Sequence, residues 1–279
     1  MSDTPTWTPL GAHPPTALTD ARIQLHWAAQ VLGATADALL PKTQDDSHTN
    51  LFWNDAHQAL LGRPLADGRR LGLHPGGFAL LVVEGDRELA RWPLAGQTLA
   101  AALEWAQTTL ASPLPLSVRD YDMPAHPVAD GAAFGSADER FAEVGRHYAS
   151  ADAVLTAVLG EDERSSGVAT WPHHFDTGAL VFLETGVSAH EAKQILVGMS
   201  PGDHTIDEPY YYVIPWPIAD GAHLTDIEGG GHWQSQGFVG AALRASRWVE
   251  TAAAEQRAQV ESFLGSALRG GERLVREAT

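Results

Sequence analysis

Residues 171–217 bring imidazoles, carboxylates and aromatic rings together at short spacing. The run opens Trp171-Pro172-His173-His174-Phe175-Asp176 and continues with Ser200-Pro201-Gly202-Asp203-His204. Asp207-Glu208-Pro209-Tyr210-Tyr211-Tyr212 follows, then Pro215-Trp216-Pro217. In an extended chain, alternation sends Trp171, His173 and Phe175 to one face and His174 and Asp176 to the other. A His and an Asp two apart on one face can share a divalent metal or pass a proton. The catalytic set expected on this basis is His174, Asp176 and Glu208, and the metal-ligand set is His174, Asp176 and Asp203. The plainer alternative has His174 and Asp176 binding loop backbone.

Asp203, His204, Asp207 and Glu208 form an oxygen-rich cluster of the kind a hard cation takes. Its spacing fits neither the EF-hand loop nor the H-E-x-x-H helix, and a solvated acidic loop is the cheaper explanation. Tyr210, Tyr212, Trp216 and Trp233, with Trp171 and His173, could line a pocket that stacks a ring-shaped ligand. Neighbouring tyrosines on a strand face opposite ways, and strand aromatics also serve as plain packing.

Gly198-Met199-Ser200-Pro201-Gly202 has the letters of a nucleophile elbow but not its chemistry. The residue after the serine must donate its N–H to an oxyanion, and Pro201 has none. Ser-Pro-Gly-Asp instead suits a type II turn.

The ordered motifs W-P-H-H-F-D, G-M-S-P-G-D, E-P-Y-Y-Y-V and P-W-P resemble an uncharacterised family of bacterial proteins, a domain of unknown function. The likeness covers most of the chain loosely and residues 171–217 best. It implies no activity, so the residue chemistry stands alone.

Composition narrows the classes. Thirty-five acids against 18 bases give a net charge of −17, which repels phosphate backbones and anionic lipid and argues against nucleic-acid or membrane partners. Lysine occurs only at 42 and 193, leaving Schiff-base chemistry few candidates. Cysteine is absent, which removes disulfides and thiolate nucleophiles. No apolar run approaches the ~20 residues of a membrane span, the first residues carry no signal-peptide pattern, and a cytoplasmic address is expected.

The elements positioning these residues read as an α+β protein: two similar helix–antiparallel strands–helix halves packed as one compact unit. Residues 1–17, rich in proline and threonine, suggest an irregular arm over the surface. Residues 18–121 form a first half, 122–135 a linker with Pro124, Pro127, Gly131 and Gly135, and 136–279 a second half carrying the site. In the first half, periodicity predicts a helix over 19–40, strands over 50–61, 69–74, 78–84, 88–94 and 114–121, and a helix over 99–110. In the second, Ser136 and Glu139 suggest a capping box opening a helix. Strands are expected over 179–183, 194–199 and 210–214. A short helix over 238–249 and a last helix over 251–267, broken by Gly270-Gly271, complete it. Trp53 with Trp171, the 73–77 turn with 199–203, and Trp92-Pro93 with Trp216-Pro217 suggest an internal duplication.

The expected function is a small-molecule-handling enzyme with a His/carboxylate site, with a divalent metal ion as candidate cofactor. The alternatives are a non-catalytic binder with a Tyr/Trp-lined pocket and a scaffold without chemistry. No Walker loop, dinucleotide fingerprint or zinc-helix motif is present.

Overall fold

The computed structural model describes residues 7–184, 192–219, 222–235 and 237–278. Among the described residues it is an α+β protein with four α-helices and two antiparallel sheets, of five and six strands. By contacts the chain divides into two compact units. One comprises Ala17–Ala149 with Ala169–Asp176; the other comprises Met1–Thr16, Ser150–Val168 and Thr177–Thr279.

The first of these units is built on a meander. Strands β1 (Phe52–Asn54), β2 (Ala59–Leu61), β3 (Arg70–His74), β4 (Ala79–Glu84) and β5 (Arg87–Pro93) pair in chain order. The single strand expected over 50–61 is a hairpin, with Phe52 opposite Leu61, because Asn54 Oδ1 accepts from the His57 amide at 2.9 Å and turns the chain. Ala59, Leu61, Leu81 and Val83 form a buried cluster on the sheet. Helix α1 (Thr19–Leu39) packs on β3 and on α2 (Leu99–Thr109). Its buried residues include Leu25, Ala28, Val31 and Leu32, but also Gln24, His26 and Gln30. Between β3 and β4, Phe78 closes the Pro-Gly-Gly turn at φ +41 and packs on Phe134 and Phe141.

The strand expected over 114–121 is absent: that stretch has no regular structure. Farther on, Pro127–Asp130 is a single 3-10 turn. Helix α3 (Glu139–Leu159) contributes residues to both units and begins at Glu139. The Asp138 carboxylate just before it accepts from the Arg140 amide at 2.9 Å. Strand β6 (Ala169–Trp171) also belongs to this unit, with Thr170 exchanging backbone bonds with Leu51 at 2.8 and 2.9 Å.

In the other unit, β7 (Asp176–Phe182), β8 (Gln194–Ser200) and β9 (Tyr210–Trp216) form a meander. Next comes β11 (Gly240–Arg244), paired to β9, with β10 (His232–Gln234) outside it. Residues expected as a helix over 238–249 therefore form β11 and one 3-10 turn, Ala245–Arg247. Helix α4 (Ala253–Glu277) covers β8, β9 and β11. It runs straight through Gly270 and Gly271, which were expected to break it. Both glycines are buried. A Cβ on Gly270 would lie 3.3 Å from the Trp233 ring, and one on Gly271 3.5 Å from Pro215. Gly270 provides close approach rather than a stop, and the space beside Gly271 is ordinary contact.

The first six residues of the arm lie outside the described residues. Trp7 is buried edge-on to Trp248 with ring centroids 5.8 Å apart. Gln256 joins the arm to α4, accepting from the Trp7 indole at 3.3 Å and donating to the Leu10 carbonyl at 2.8 Å. The arm is thus stitched into its unit rather than laid over it.

Each half of the sequence runs helix, antiparallel strands, helix. Of the motif pairs that suggested duplication, the Trp-Pro pair occupies non-equivalent places. The 73–77 turn is followed by two strands before Trp92-Pro93, whereas one strand, β9, separates the 199–203 turn from Trp216-Pro217. No helix among the described residues is long and apolar enough to cross a membrane.

Candidate functional site

Residues 171–176 do not continue as a strand. The chain turns over 172–175, the Phe175 amide donates to the Trp171 carbonyl at 2.7 Å, and Phe175 sits at φ +56. That region is uncommon for a bulky side chain, and the surroundings hold it there. The Phe175 ring is 1% exposed, stacked on His26 at 5.3 Å and tilted against Tyr148 at 5.1 Å. The Tyr148 hydroxyl donates to the Phe175 carbonyl.

Helix α1 holds the preceding residues. Gln30 Nε2 donates to the Pro172 carbonyl at 2.7 Å. His26 Nε2 lies 3.0 Å from the same oxygen and 3.2 Å from the His173 carbonyl. Both partners are acceptors, so His26 carries its proton on Nε2. Burial pushes its pKa down to about 4, against the raising effect of those carbonyls, and it is neutral at pH 7.

This framework presents two adjacent imidazoles. The His173 and His174 rings have centroids 4.3 Å apart, with His173 half-buried and His174 exposed. The expected alternation therefore orders exposure correctly for His174 and Phe175, but through a turn rather than a strand. His173 lies against Tyr121 at 5.4 Å. Its pKa falls to about 4, first through burial and then through the charge of His174; Asp46 opposes the shift and Arg119 adds to it.

Behind Tyr121 lies a charged network. Arg119 Nη1 donates to the Tyr121 hydroxyl at 3.1 Å and pairs with Asp46 at 2.9 Å. Its Nε reaches Asp37 Oδ2 at 2.5 Å and its Nη2 reaches Asp37 Oδ1. His48 Nε2 is 3.0 Å from Asp37 Oδ1, and His48 Nδ1 is 3.2 Å from Thr43 Oγ1. Burial works to raise the Asp37 pKa, and the bonds from Arg119 and His48 outweigh it, leaving the carboxyl below its usual range.

Of the other expected site residues, Asp176 opens β7 half-buried. Its charge and, first, burial hold the Tyr148 phenol well above its ordinary pKa. Trp171 ends β6 half-buried. Asp203 is a turn residue: Oδ1 accepts from the Thr205 and Ile206 amides at 2.6 and 2.8 Å, and Oδ2 from the Tyr210 hydroxyl at 2.5 Å. Glu208 is buried and accepts from the Ser246 amide at 2.7 Å and its hydroxyl at 3.0 Å. Both carboxylates thus stabilise local structure. Among the described residues, no group of three or more His, Asp or Glu side chains converges to hold a metal ion.

The expected aromatic platform is also divided. Tyr210 and Tyr212 are buried with Ile206 and Ala242 in a core cluster that Phe238 packs against. Trp216 is exposed, and Trp233 donates to the Thr225 carbonyl at 2.7 Å. Ser200 is buried and accepts from the Gly202 amide at 3.2 Å, as a turn residue does.

His26, Gln30, Arg119, Tyr121 and Tyr148 were not found from the sequence. The available signal was in α1, where His26 and Gln30 stand four apart among apolar positions. A polar pair at that spacing on a buried face requires partners. No family model matches this chain, and no curated protein or solved structure matches it.

Proposed function

We propose that the protein handles a small molecule at the 171–176 turn, with His173 and His174 as the acid–base pair and the Tyr121 ring as a wall. The observation carrying this reading is the left-handed backbone of the buried Phe175. Such a conformation costs on the order of 1–3 kcal/mol and concentrates at functional sites. Around it, four side chains (His26, Gln30, Tyr148 and the Phe175 ring) converge on one turn whose outward product is two neighbouring imidazoles. A neutral His173 can accept a hydrogen bond and would take up a proton only in acid, and the exposed His174 can meet a ligand from solution. Asp176 follows directly in the chain and is the carboxylate this reading retains.

The test is a thermal-shift screen of wild type and His174→Ala against small carboxylates, phosphate esters, nucleosides and sugars. At least one class should raise the wild-type Tm and fail to raise that of the variant, with equal unliganded Tm values. Equal stabilisation of both proteins by every class that binds overturns the site. A ligand that binds through His174 and is recovered unchanged would favour a binding protein over an enzyme.

A further inference from the structure

We propose a second, independent site in the unit containing α4: a cavity of about 320 Å³ beside Leu183 and Lys193 that takes a small monocarboxylate with a hydrocarbon body. Its lining is Arg164, Leu183, Glu184, Lys193, Val275 and Arg276. Backbone bonds fix the walls. The Phe182 amide donates to the Arg164 carbonyl at 2.9 Å, and the Leu183 amide to the Lys193 carbonyl at 2.7 Å. Val275 and Arg276 come from the last turn of α4. The volume lies at the lower end of the range for small-molecule sites.

The charges select the ligand. Three of the chain's 18 basic residues line this one cavity in a protein of net charge −17. Arg164 is committed to structure: it pairs with Asp162 at 2.7 Å and with Glu272 at 3.0 Å. Lys193 Nζ is 3.9 Å from Glu184, beyond hydrogen-bond length, and Arg276 Nη2 is 3.5 Å from Glu272, at its limit. Among the described residues, these two cations therefore keep donors for an incoming anion. Glu184, Glu272 and the negative end of the α4 dipole oppose a second negative charge, so a carboxylate suits the site better than a phosphate dianion. Leu183, half-buried, supplies the apolar surface against which a hydrocarbon body lies, and Val275 is fully buried at the lining.

The test follows the Leu183 and Val275 methyl resonances during titration with hexanoate, hexan-1-ol and inorganic phosphate. Hexanoate should shift both methyls saturably, and hexanol and phosphate should bind at least about tenfold more weakly, the loss of one charge-assisted contact. Lys193→Gln and Arg276→Gln should each weaken hexanoate about tenfold. Both side chains are partly exposed, so the fold should survive, which unchanged spectra elsewhere will show. No saturable shift, equal binding of hexanol or phosphate, or unchanged binding by both variants overturns the proposal. His174→Ala should bind hexanoate as wild type does, separating this site from the 171–176 turn.

Discussion

The Tyr148 hydroxyl donates to the carbonyl of Phe175, so a helix side chain fixes a residue whose backbone is left-handed. Tyr148→Phe keeps the ring packing and removes only the donor. The expected cost is about 1–3 kcal/mol, because a buried carbonyl loses its partner. In urea unfolding the midpoint should fall, and in NMR the His173 and His174 imidazole resonances should move. A lower midpoint with unmoved resonances would mean that the bond stabilises the fold without setting the imidazoles.

His26 and His147 are both held at about 4 by burial, well below the 6.5 of an unperturbed histidine. A lowered folded-state pKa means that the unfolded chain takes up more protons between pH 6.5 and 4. Stability is therefore fully present above about pH 6.5 and declines as pH falls towards 4. Each histidine contributes on the order of 3 kcal/mol to that decline. Urea midpoints measured from pH 8 to pH 4 check the slope, and His26→Asn should flatten it. A midpoint independent of pH across this window would contradict both assignments.

Glu208→Gln and Asp203→Asn are expected to act on folding. Glu208 receives two bonds from Ser246, and Asp203 receives three from Thr205, Ile206 and Tyr210. Losing the charge from such bonds costs about 1–3 kcal/mol per site. Ligand affinity at the 171–176 turn should be unchanged in both variants. A fall in affinity at constant stability would return these carboxylates to the functional site.

Glycines separate by the space beside them. Gly198→Ala would place a Cβ 2.5 Å from the Thr177 carbonyl oxygen and 2.5 Å from the Tyr212 hydroxyl. Overpacking of this kind costs about 1–3 kcal/mol or more. Gly271→Ala meets only Ile195 and Pro215 at 3.4 and 3.5 Å. Alanine favours a helix interior by up to about 1 kcal/mol, so this variant should match or exceed wild type in Tm. The reverse order of Tm values would show that the sheet relaxes around residue 198.

The strands of both meanders were legible because β4, β7, β8 and β9 are apolar runs bounded by turn residues. Helix α1 was legible through its periodicity and Pro41. Local signals misled where tertiary packing decides. Gly270-Gly271 reads as a stop until Trp233 and Pro215 are seen against it. Gly240–Arg244 carries Ala and Leu that suit a helix, yet its pairing with β9 makes it a strand. For the site, the 171–176 motif was visible as residue types, but the turn was not. Its shape depends on His26, Gln30 and Tyr148, which lie 27 to 147 positions away from their partners. Asp203 and Glu208 look available in the sequence, and only the donors of Thr205, Ile206, Tyr210 and Ser246 show otherwise.

Arg119 joins places the chain visits far apart: Asp37 near the end of α1, Asp46 in the following loop, and Tyr121. Residues 111–126 contain neither helix nor strand, so no ladder of backbone bonds holds their path. The order of this stretch depends on a few side-chain anchors, chiefly this guanidinium and the Trp27 indole bond to the Pro124 carbonyl at 3.0 Å. Such a segment is expected to open without unzipping a sheet. Arg119→Met should therefore let a protease nick the chain here first, while amides in β3 and β4 keep their slow hydrogen exchange. Tyr121 lies on this segment, so losing the Arg119 anchor should also loosen the contact of Tyr121 with His173.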